Sequence, residues 1–167
     1  MKLILAADRN WAIGYQNGLL CHLSGDLKFF KEKTYGKTVI MGRLTQESLP
    51  GAKPLPGRKN IVLTTRKDYA PEGFFMAHSE EELKSLLADC DTDEVFVIGG
   101  GRVYRDFLPK CDTCYITKID GEFPADTWFV NLDESDEFEP VWESELMEEK
   151  GIGFRFFEYR RKSNGEE

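Results

Sequence analysis

The stretch from Glu94 to Tyr104 constrains the fold of this chain more than any other segment. An apolar, β-branched run at 95–98 ends in three consecutive glycines, and a helix-compatible segment at 102–108 follows. This order predicts a buried strand, a tight glycine turn and a helix start whose free N–H groups suit an anion, usually a phosphate. The dinucleotide fingerprint is not met, because Tyr104 stands at the third glycine position. A glycine turn without any ligand therefore stays an alternative.

Composition and charge exclude several classes of function. A net charge of −8 and a pI near 4.9 argue against a nucleic-acid partner, since phosphate contacts need a basic surface. No apolar run approaches the ~20 residues that cross a bilayer, and the opening residues 1–7 are too short for a signal peptide. We therefore expect a cytoplasmic protein without a membrane partner.

Cys111 and Cys114 have the spacing of a redox or zinc site. A second such pair is missing from the sequence, and His22 and His78 are remote from this one. Redox pairs normally open a helix, whereas a strand is predicted to follow Cys114. Two ordinary thiols at a strand entrance are the preferred interpretation, with no metal site.

Strand and helix patterns alternate over the first two thirds of the chain. Predicted strands occupy residues 3–7, 38–41, 60–64, 74–77, 95–98 and 114–119. Predicted helices occupy residues 24–34, 43–49, 79–88 and 102–108, with Ser24 and a capping box at Ser79 as start signals. Continuous apolar strands separated by helices indicate a mainly parallel sheet covered on both faces. Segments 141–146 and 154–159 are expected to close one edge as an antiparallel hairpin.

The predicted fold is therefore α/β, with a mostly parallel eight-stranded central sheet, the C-terminal hairpin and about four flanking helices. We expect a single domain over residues 1–162 and a disordered tail over 163–167.

Ligands of such sheets bind beyond the carboxyl ends of the strands, and three strand ends carry suitable residues. Gly42, Arg43 and Thr45 follow one strand, residues 64–67 supply two hydroxyls and two cations after another, and Arg102 follows the glycines. A single surface arginine is ordinary, but three such junctions in an acidic protein predict a polyphosphate across the sheet edge.

Asp26 is the remaining candidate for chemistry. It lies in the first turn of a predicted helix and shares a face with Phe29 and Phe30. An acid in a first turn ordinarily serves only the helix dipole. The flanking aromatic rings make a carboxylate in an apolar cleft the functional alternative.

The chain closely resembles the dihydrofolate reductase family from end to end. The resemblance rests on ordered motifs, namely Ala12-Ile13-Gly14, Asn17-Gly18-Leu19, Leu23-x-x-Asp26-Leu27-x-x-Phe30-Lys31, Val39-Ile40-Met41-Gly42-Arg43-x-Thr45-x-Glu47-Ser48, Pro54-Leu55-Pro56-Gly57-Arg58-Lys59-Asn60, Val97-Ile98-Gly99-Gly100-Gly101-Arg102-Val103-Tyr104, Phe107-Leu108-Pro109, Tyr115-Ile116-Thr117-x-Ile119 and Asp126-Thr127. The family fold agrees with the fold predicted above. The resemblance implies reduction of 7,8-dihydrofolate to tetrahydrofolate by NADPH, and sensitivity to antifolates.

The resemblance also implies which residues bind the substrate. Asp26 would hold the pterin amino group and N3, and Thr117 would brace its carboxylate, while N5 takes its proton from water admitted by a lid. Burial would raise the Asp26 pKa and the helix N-terminus would lower it, so the direction of the pKa shift stays open. Arg58 would hold the glutamate carboxylate. The apolar slot would comprise Ile4, Ala6, Leu27, Phe30, Leu49, Leu55 and Ile98.

The cofactor would lie across the three strand ends. Residues implied to contact it are Ala6, Ile13, Gly14, Gly42, Arg43, Leu44, Thr45, Leu63, Thr64, Thr65, Arg66, Ile98, Gly99, Gly100, Gly101, Arg102, Val103, Tyr104 and Thr127. Within this set, Thr65 and Arg66 would read the adenosine 2′-phosphate, and Tyr104 would border the nicotinamide with Ile98. Residues 8–20 match the mobile lid, with Leu19 at its tip; Leu19 and Tyr104 complete the expected catalytic set.

Leu20 and Cys21 depart from the family, which usually has Pro-Trp before the helix with the acid. Cys21 is expected to face the inner end of the pterin slot. Two rival functions are a pyrimidine reductase of riboflavin synthesis and a non-catalytic nucleotide-binding module. The first would not need Asp26 with Phe30 or the Pro54–Arg58 turn, and the second would lose Asp26 and Thr117. A monomer is the expected state.

Overall fold

The structure is a computed structural model that describes residues 1–163. Apart from Ser163, the predicted tail lies outside these residues. The helices are α1 (Ser24–Thr34), α2 (Arg43–Ser48), α3 (Glu80–Leu87) and α4 (Gly101–Phe107). The strands are β1 (Lys2–Ala7), β2 (Ala12–Gly14), β3 (Thr38–Gly42), β4 (Lys59–Leu63), β5 (Phe75–Ala77), β6 (Val95–Gly99), β7 (Thr113–Asp120), β8 (Thr127–Trp128), β9 (Phe138–Glu143), β10 (Met147–Glu149) and β11 (Ile152–Arg161).

The central sheet has eight positions in the order β10-β11-β7-β1-β6-β3-β4-β5. From β7 to β5 all neighbours are parallel, and β11 pairs antiparallel with β7. The α/β fold class and the mostly parallel sheet are thus confirmed. The small β2–β8 sheet was not predicted, because strands of three and two residues carry no readable periodicity.

The predicted C-terminal hairpin is correct in outline and wrong in detail. β10 forms the tight hairpin with the start of β11, while β9 pairs with its end, from Phe157 to Arg161. Both lie on the edge of β11 away from β7. Residues 144–146 interrupt this edge rather than extend a strand, and the Ser144 hydroxyl accepts the Phe156 N–H. The Ser144 N–H still donates to the Phe156 carbonyl at 2.8 Å, so the side-chain hydroxyl takes the place of only one backbone acceptor at this point.

Both faces of the sheet are buried, and β1 shows how. Leu3 and Leu5 point into one apolar cluster with Val97, whereas Ile4 points into the opposite cluster with Phe29. This alternation is the period of two expected of a strand. It places the two layers of helices on opposite sides of the sheet and leaves the strand ends accessible.

The segment after β1 is fixed at its base by one buried carboxylate. Asp8 Oδ1 accepts the N–H groups of Asn10 and Ala12 at 2.8 and 3.0 Å, and Oδ2 accepts that of Phe123 at 3.0 Å. These bonds satisfy backbone groups of two loops at once. They hold the start of the predicted lid against the end of β7.

Candidate functional site

A cavity of about 1030 Å³ lies along the carboxyl ends of the parallel strands. It passes between α1 on one side and the starts of α2 and α4 on the other, and residues of the predicted lid cover part of it. A cleft at this edge is where an open parallel sheet binds ligands. Its size suits two small ligands placed end to end.

At the α1 end of the cavity, Asp26 is paired with one hydroxyl. Thr117 on β7 donates its Oγ1–H to Asp26 Oδ1 at 2.6 Å. Burial raises the pKa of the Asp26 carboxyl, and the hydrogen bond from Thr117 lowers it by less. The pKa of Asp26, whose direction of shift the sequence left open, is therefore raised. A half-buried carboxyl with a raised pKa in a cleft is a candidate for proton chemistry.

Apolar side chains surround this carboxylate and continue toward Arg58. The lining residues with apolar side chains here are Ile4, Ala6, Leu27, Phe30, Leu49, Leu55 and Ile98. Arg58 stands at the far end, held by bonds from Nη1 to Thr34 Oγ1 at 3.0 Å and from Nε to the Pro56 carbonyl at 2.9 Å. Partial burial lowers its pKa, but the guanidinium stays charged. This end of the cavity therefore offers a carboxylate, an apolar slot and a fixed cation.

The opposite end of the cavity is built from backbone. Gly99 has a φ of +133°, and it is joined to Gly100 by a cis peptide bond. A Cβ on Gly99 would lie 3.2 Å from Thr45 Oγ1, and one on Gly101 would lie 2.6 Å from Thr127 Cγ2. Side chains are therefore sterically excluded from this turn. The arrangement leaves main-chain atoms lining the cavity before the first turn of α4.

Two arginines lie near the glycine turn, and they differ in how firmly they are held. Arg43 Nη1 is 2.8 Å from Glu47 Oε2 one helical turn away, and its guanidinium lies over the Tyr69 ring at 6.0 Å. Arg102 is largely exposed, with a 3.8 Å contact to Asp106. Both line the cavity. Arg43 is thus preorganised to meet an anion, whereas Arg102 is free to adjust.

The predicted lid contacts α2 and the loop before β8. The Asn17 side-chain amide donates to the Leu44 carbonyl at 2.9 Å, and the Gln16 N–H donates to Asp126 Oδ2 at 2.9 Å. Leu19 lines the cavity with 48% of its surface exposed. Few buried contacts and exposed hydrogen bonds are typical of segments that open at low cost in free energy.

Tyr104 connects the glycine turn to the central strand. Its hydroxyl donates to the Ile4 carbonyl at 2.8 Å, and its ring packs edge-on against Phe129. Burial, and secondarily the charge of Asp26, raises the pKa of Tyr104. The phenol therefore stays protonated at neutral pH, and its one proton is already engaged. These contacts make it a rigid wall of the cavity.

Most of the predicted site residues line this one cavity. The exceptions are Thr117, which reaches it through Asp26, and Thr64, Thr65 and Arg66, which follow the cavity residue Leu63 without lining it themselves. The lining residues that the sequence did not single out are Leu5, Tyr15, Asn17, Gly18, His22, Lys31, Ser48 and Pro50. Three of these lie in the predicted lid, and Lys31 is one helical turn beyond Leu27, so spacing alone could have found them.

The cysteines lie outside the cavity lining, contrary to the expectation that Cys21 faces the pterin slot. Cys21 is half-buried and packs against the apolar cluster around Ile4; burial raises its pKa, with a further rise from the charge of Asp26. Cys111 and Cys114 are both buried and free, and burial raises the pKa of Cys111 to about 11. Within residues 1–163, no cluster of His, Cys, Asp and Glu side chains could hold a metal ion. The same residues include no helix that is long and apolar enough to cross a membrane.

Known proteins resemble this chain along nearly its full length. The family model described as Dihydrofolate reductase matches residues 1–161. The dihydrofolate reductase of Bacillus subtilis (strain 168) is 40% identical over 166 residues, covering 98% of this chain and 96% of that protein. The enzyme of Neisseria meningitidis serogroup A is 37% identical over 162 residues, covering 96% and 98%. The solved structure of the Enterococcus faecalis dihydrofolate reductase, complexed with NADP(H) and RAB-propyl, has a TM-score of 0.86 at 36% identity, with coverage of 97% and 96%.

The sequence prediction of the family and of an oxidoreductase activity is thereby confirmed. The relatives and the solved structure named above each cover 96–98% of this chain. The chain belongs to the dihydrofolate reductase family.

Proposed function

We propose that this chain reduces 7,8-dihydrofolate to 5,6,7,8-tetrahydrofolate with NADPH, using the single cavity described above. The observation that carries the proposal is the pair formed by Asp26 and Thr117 in an otherwise apolar slot. A pterin presents an amino group and a ring N–H on one edge, and a fixed carboxylate is the acceptor that matches both. The backbone cradle around Gly99–Gly101 lies in the same cavity, where a second ligand can reach the pterin.

Asp26 orients and polarises the pterin. Thr117 occupies one lone pair of Oδ1 and holds the carboxylate plane, so the remaining lone pairs point to the substrate. Because burial raises its pKa, the carboxyl holds a proton more tightly than an exposed aspartate does. N5 of the substrate is protonated by water that enters when the lid at Leu19 opens.

The rest of the substrate lies along the apolar slot and ends at Arg58. Leu27, Phe30, Leu49 and Leu55 exclude water from the ring system, which strengthens the hydrogen bonds made by Asp26. The Arg58 guanidinium is aimed by Thr34 and Pro56, which leaves donors for a bidentate pair with the substrate's α-carboxylate.

The glycine turn fits NADPH, because the close approach of Thr45 and Thr127 shows a cradle that only glycines can line. NADPH, when bound, supplies the hydride. Arg43, Thr45 and Arg102 would hold its phosphates, and Thr65 and Arg66, beside the cofactor contact Thr64, would read its adenosine 2′-phosphate. The other proposed contacts are Ala6, Ile13, Gly14, Gly42, Leu44, Leu63, Ile98, Val103, Tyr104 and Thr127.

The chain is further proposed to act as one domain over residues 1–162 and as a cytoplasmic monomer. Size-exclusion chromatography with light scattering tests the monomer, and fractionation of cells tests the location. Antifolates are expected to compete with dihydrofolate, since the raised pKa of Asp26 favours pairing with a basic diaminopyrimidine-type ring. Competition kinetics measure this directly.

The central experiment mixes the purified protein with NADPH and dihydrofolate and follows the loss of reduced-nicotinamide absorbance. We expect steady oxidation that depends on dihydrofolate and stops when either reactant is exhausted. Binding of NADPH without any oxidation would instead identify a non-catalytic nucleotide-binding module. Oxidation with an aminopyrimidine ribityl substrate, but not with dihydrofolate, would identify the pyrimidine reductase.

A further inference from the structure

Helix α1 begins without a cap from its own segment. The N-cap residue is Leu23, whose side chain carries no acceptor, and Ser24 lies inside the helix, so the predicted Ser24 cap is wrong. The Ser24 and Gly25 N–H groups instead donate to the two carboxylate oxygens of Glu149, at 2.6 and 3.1 Å. Glu149 ends β10, more than a hundred residues later in the chain. A carboxylate from the C-terminal hairpin therefore caps the helix that carries Asp26.

Two neighbouring contacts fix the hairpin turn to the same place. Lys150 Nζ donates to the His22 carbonyl at 3.0 Å, just before α1 begins. A Cβ on Gly25 would lie 3.2 Å from the Phe154 ring, so the backbone of α1 rests directly on β11. The pKa of Glu149 is lowered, chiefly by the N–H of Ser24, so the cap is ionised at neutral pH. Charge, hydrogen bonds and packing all act on the same turn of the helix.

The turn that Glu149 holds is the one from which Asp26 projects. Thr117 fixes the Asp26 carboxylate from β7, at 2.6 Å, but it cannot fix the backbone position of the helix. Fraying of the first turn would move the carboxylate relative to Thr117 and to the substrate. A displacement of 1 Å at a reacting group can reduce a rate by about 10²-fold.

The geometry points to Glu149 as a positioning residue for dihydrofolate reduction, which acts on Asp26 by clamping the start of α1 to the C-terminal hairpin. This inference rests on the proposed role of Asp26. It adds a residue remote in sequence that touches neither the substrate nor the cofactor cradle.

The first test compares Glu149→Ala with Glu148→Ala in the full-length protein. Glu148 is the exposed neighbour on the same strand and, among residues 1–163, makes no side-chain hydrogen bond or ion pair with a partner. We expect Glu149→Ala to lower kcat/KM for dihydrofolate about tenfold, less than the loss from a 1 Å displacement because Thr117 still holds the Asp26 carboxylate, while the Kd of NADPH stays at the parental value. Glu149→Gln keeps an acceptor oxygen and should recover part of the loss. Glu148→Ala should match the parent.

A second variant removes the helix side of the same contact. Leu23 has φ −116° and ψ 121°, a backbone conformation that accepts a following proline. Ser24→Pro therefore fits the first helical position while deleting the Ser24 N–H and hydroxyl that both donate to Glu149. If the clamp acts as inferred, Glu149→Ala should cost less in the Ser24→Pro background than in the parent. Equal costs in both backgrounds would mean that Glu149 acts elsewhere.

Amide hydrogen exchange provides a readout that does not depend on turnover. In Glu149→Ala, the amides of Ser24 and Gly25 should exchange faster, with little change in α3. Unchanged exchange there, or equal losses for dihydrofolate and NADPH, would overturn the inference and leave Glu149 a residue of general stability. A parent protein that is inactive with dihydrofolate would overturn the proposed function instead, and exchange would still decide whether the clamp exists.

Discussion

The two ends of the cavity differ in which part of the chain recognises the ligand. At the pterin end, one carboxylate and one guanidinium stand in an apolar wall, and each is aimed by a neighbouring hydroxyl or carbonyl. At the cofactor end, the central feature is a turn of glycine backbone against which even a methyl group would collide. Function at the first end therefore depends on side chains that are present, and at the second end on side chains that are missing.

This difference predicts opposite sensitivities to substitution. Shortening or neutralising a side chain should matter most at the pterin end, where Asp26 has no substitute. Adding atoms should matter most at the cofactor end, where a Cβ on Gly101 would lie 2.6 Å from Thr127 Cγ2. The lid lines the cavity at Leu19 and is bonded through Asn17 to Leu44 in the cofactor set, so substitutions in the lid are not expected to separate the effects at the two ends.

The largest expected effect is that of Asp26→Asn. The amide keeps the shape but loses the charge that polarises the pterin, so kcat at neutral pH should fall by about 10²-fold or more. The Kd of NADPH should not change. The defect should shrink at low pH, where substrate protonated in solution bypasses the missing group. Steady-state kinetics from acid to neutral pH measure this, with exposed Asp68→Asn as the matched control.

Parental activity of Asp26→Asn at neutral pH would contradict the role given to the carboxylate. Asp26 would then be an acid that only stabilises the first turn of α1 through the helix dipole.

The second effect in size belongs to the cofactor end. Gly101→Ala places a Cβ 2.6 Å from Thr127 Cγ2, and overpacking of this kind costs about 1–3 kcal/mol. We expect NADPH to bind about tenfold more weakly, or worse, while folate binding changes little. Thr127→Ser removes the colliding methyl and keeps the hydroxyl that donates to Asp126, so the double variant should recover affinity. Fluorescence titration with each ligand checks both results.

If folate and NADPH lose affinity equally in Gly101→Ala, the two ends of the cavity are not independent. If Thr127→Ser gives no recovery, the loss arises from the turn itself rather than from the collision.

The third prediction concerns the choice between NADPH and NADH. Only NADPH carries the 2′-phosphate, so Arg66→Ala should weaken NADPH by about tenfold, the range of a charge-assisted hydrogen bond, and leave NADH unchanged. Arg43→Ala should also reduce the preference. Lys84→Ala, an exposed cation on α3 outside the cavity lining, is the control. The ratio of kcat/KM with NADPH to kcat/KM with NADH measures the preference. A ratio of one in the parent protein would refute the assignment.

The sequence predicted the glycine turn, the alternation of strands and helices along the chain, and a carboxylate in an apolar cleft at Asp26, because each depends on local patterns. The Ser79 cap is confirmed, since Ser79 Oγ accepts the Glu82 N–H at 3.1 Å within one turn. The Ser24 cap failed because its acceptor comes from β10. Local signals report a contact only when both partners lie in the same segment.

The same reasoning explains the error at the sheet edge and at Cys21. After Phe138, every residue of β9 is exposed, so alternation does not mark where the strand ends at Glu143. Cys21 was placed in the slot by position alone, and the structure packs it into the apolar cluster behind the slot wall, outside the cavity lining. Side-chain direction in a loop depends on packing that no spacing rule contains.

The smallest expected effect tests whether the buried Asp26 carboxylate at the pterin end lowers the stability of the folded protein. The folded-state pKa of Asp26 is raised above its ordinary value of 3.8, mainly by burial, so the folded protein binds this proton more tightly than the unfolded chain. The contribution of Asp26 to stability therefore falls as pH rises from 3.8 through the folded-state pKa. Asp26→Asn should unfold a few degrees above the parent at neutral pH in the absence of ligands, and the difference should vanish below about pH 3.8.

Thr117→Val provides the opposite control, because losing its hydrogen bond raises the Asp26 pKa further and should lower the melting temperature at neutral pH. A less stable Asp26→Asn at neutral pH would show that the carboxylate stabilises α1 more than its burial costs, and the contrast between the two ends would then rest on catalysis alone.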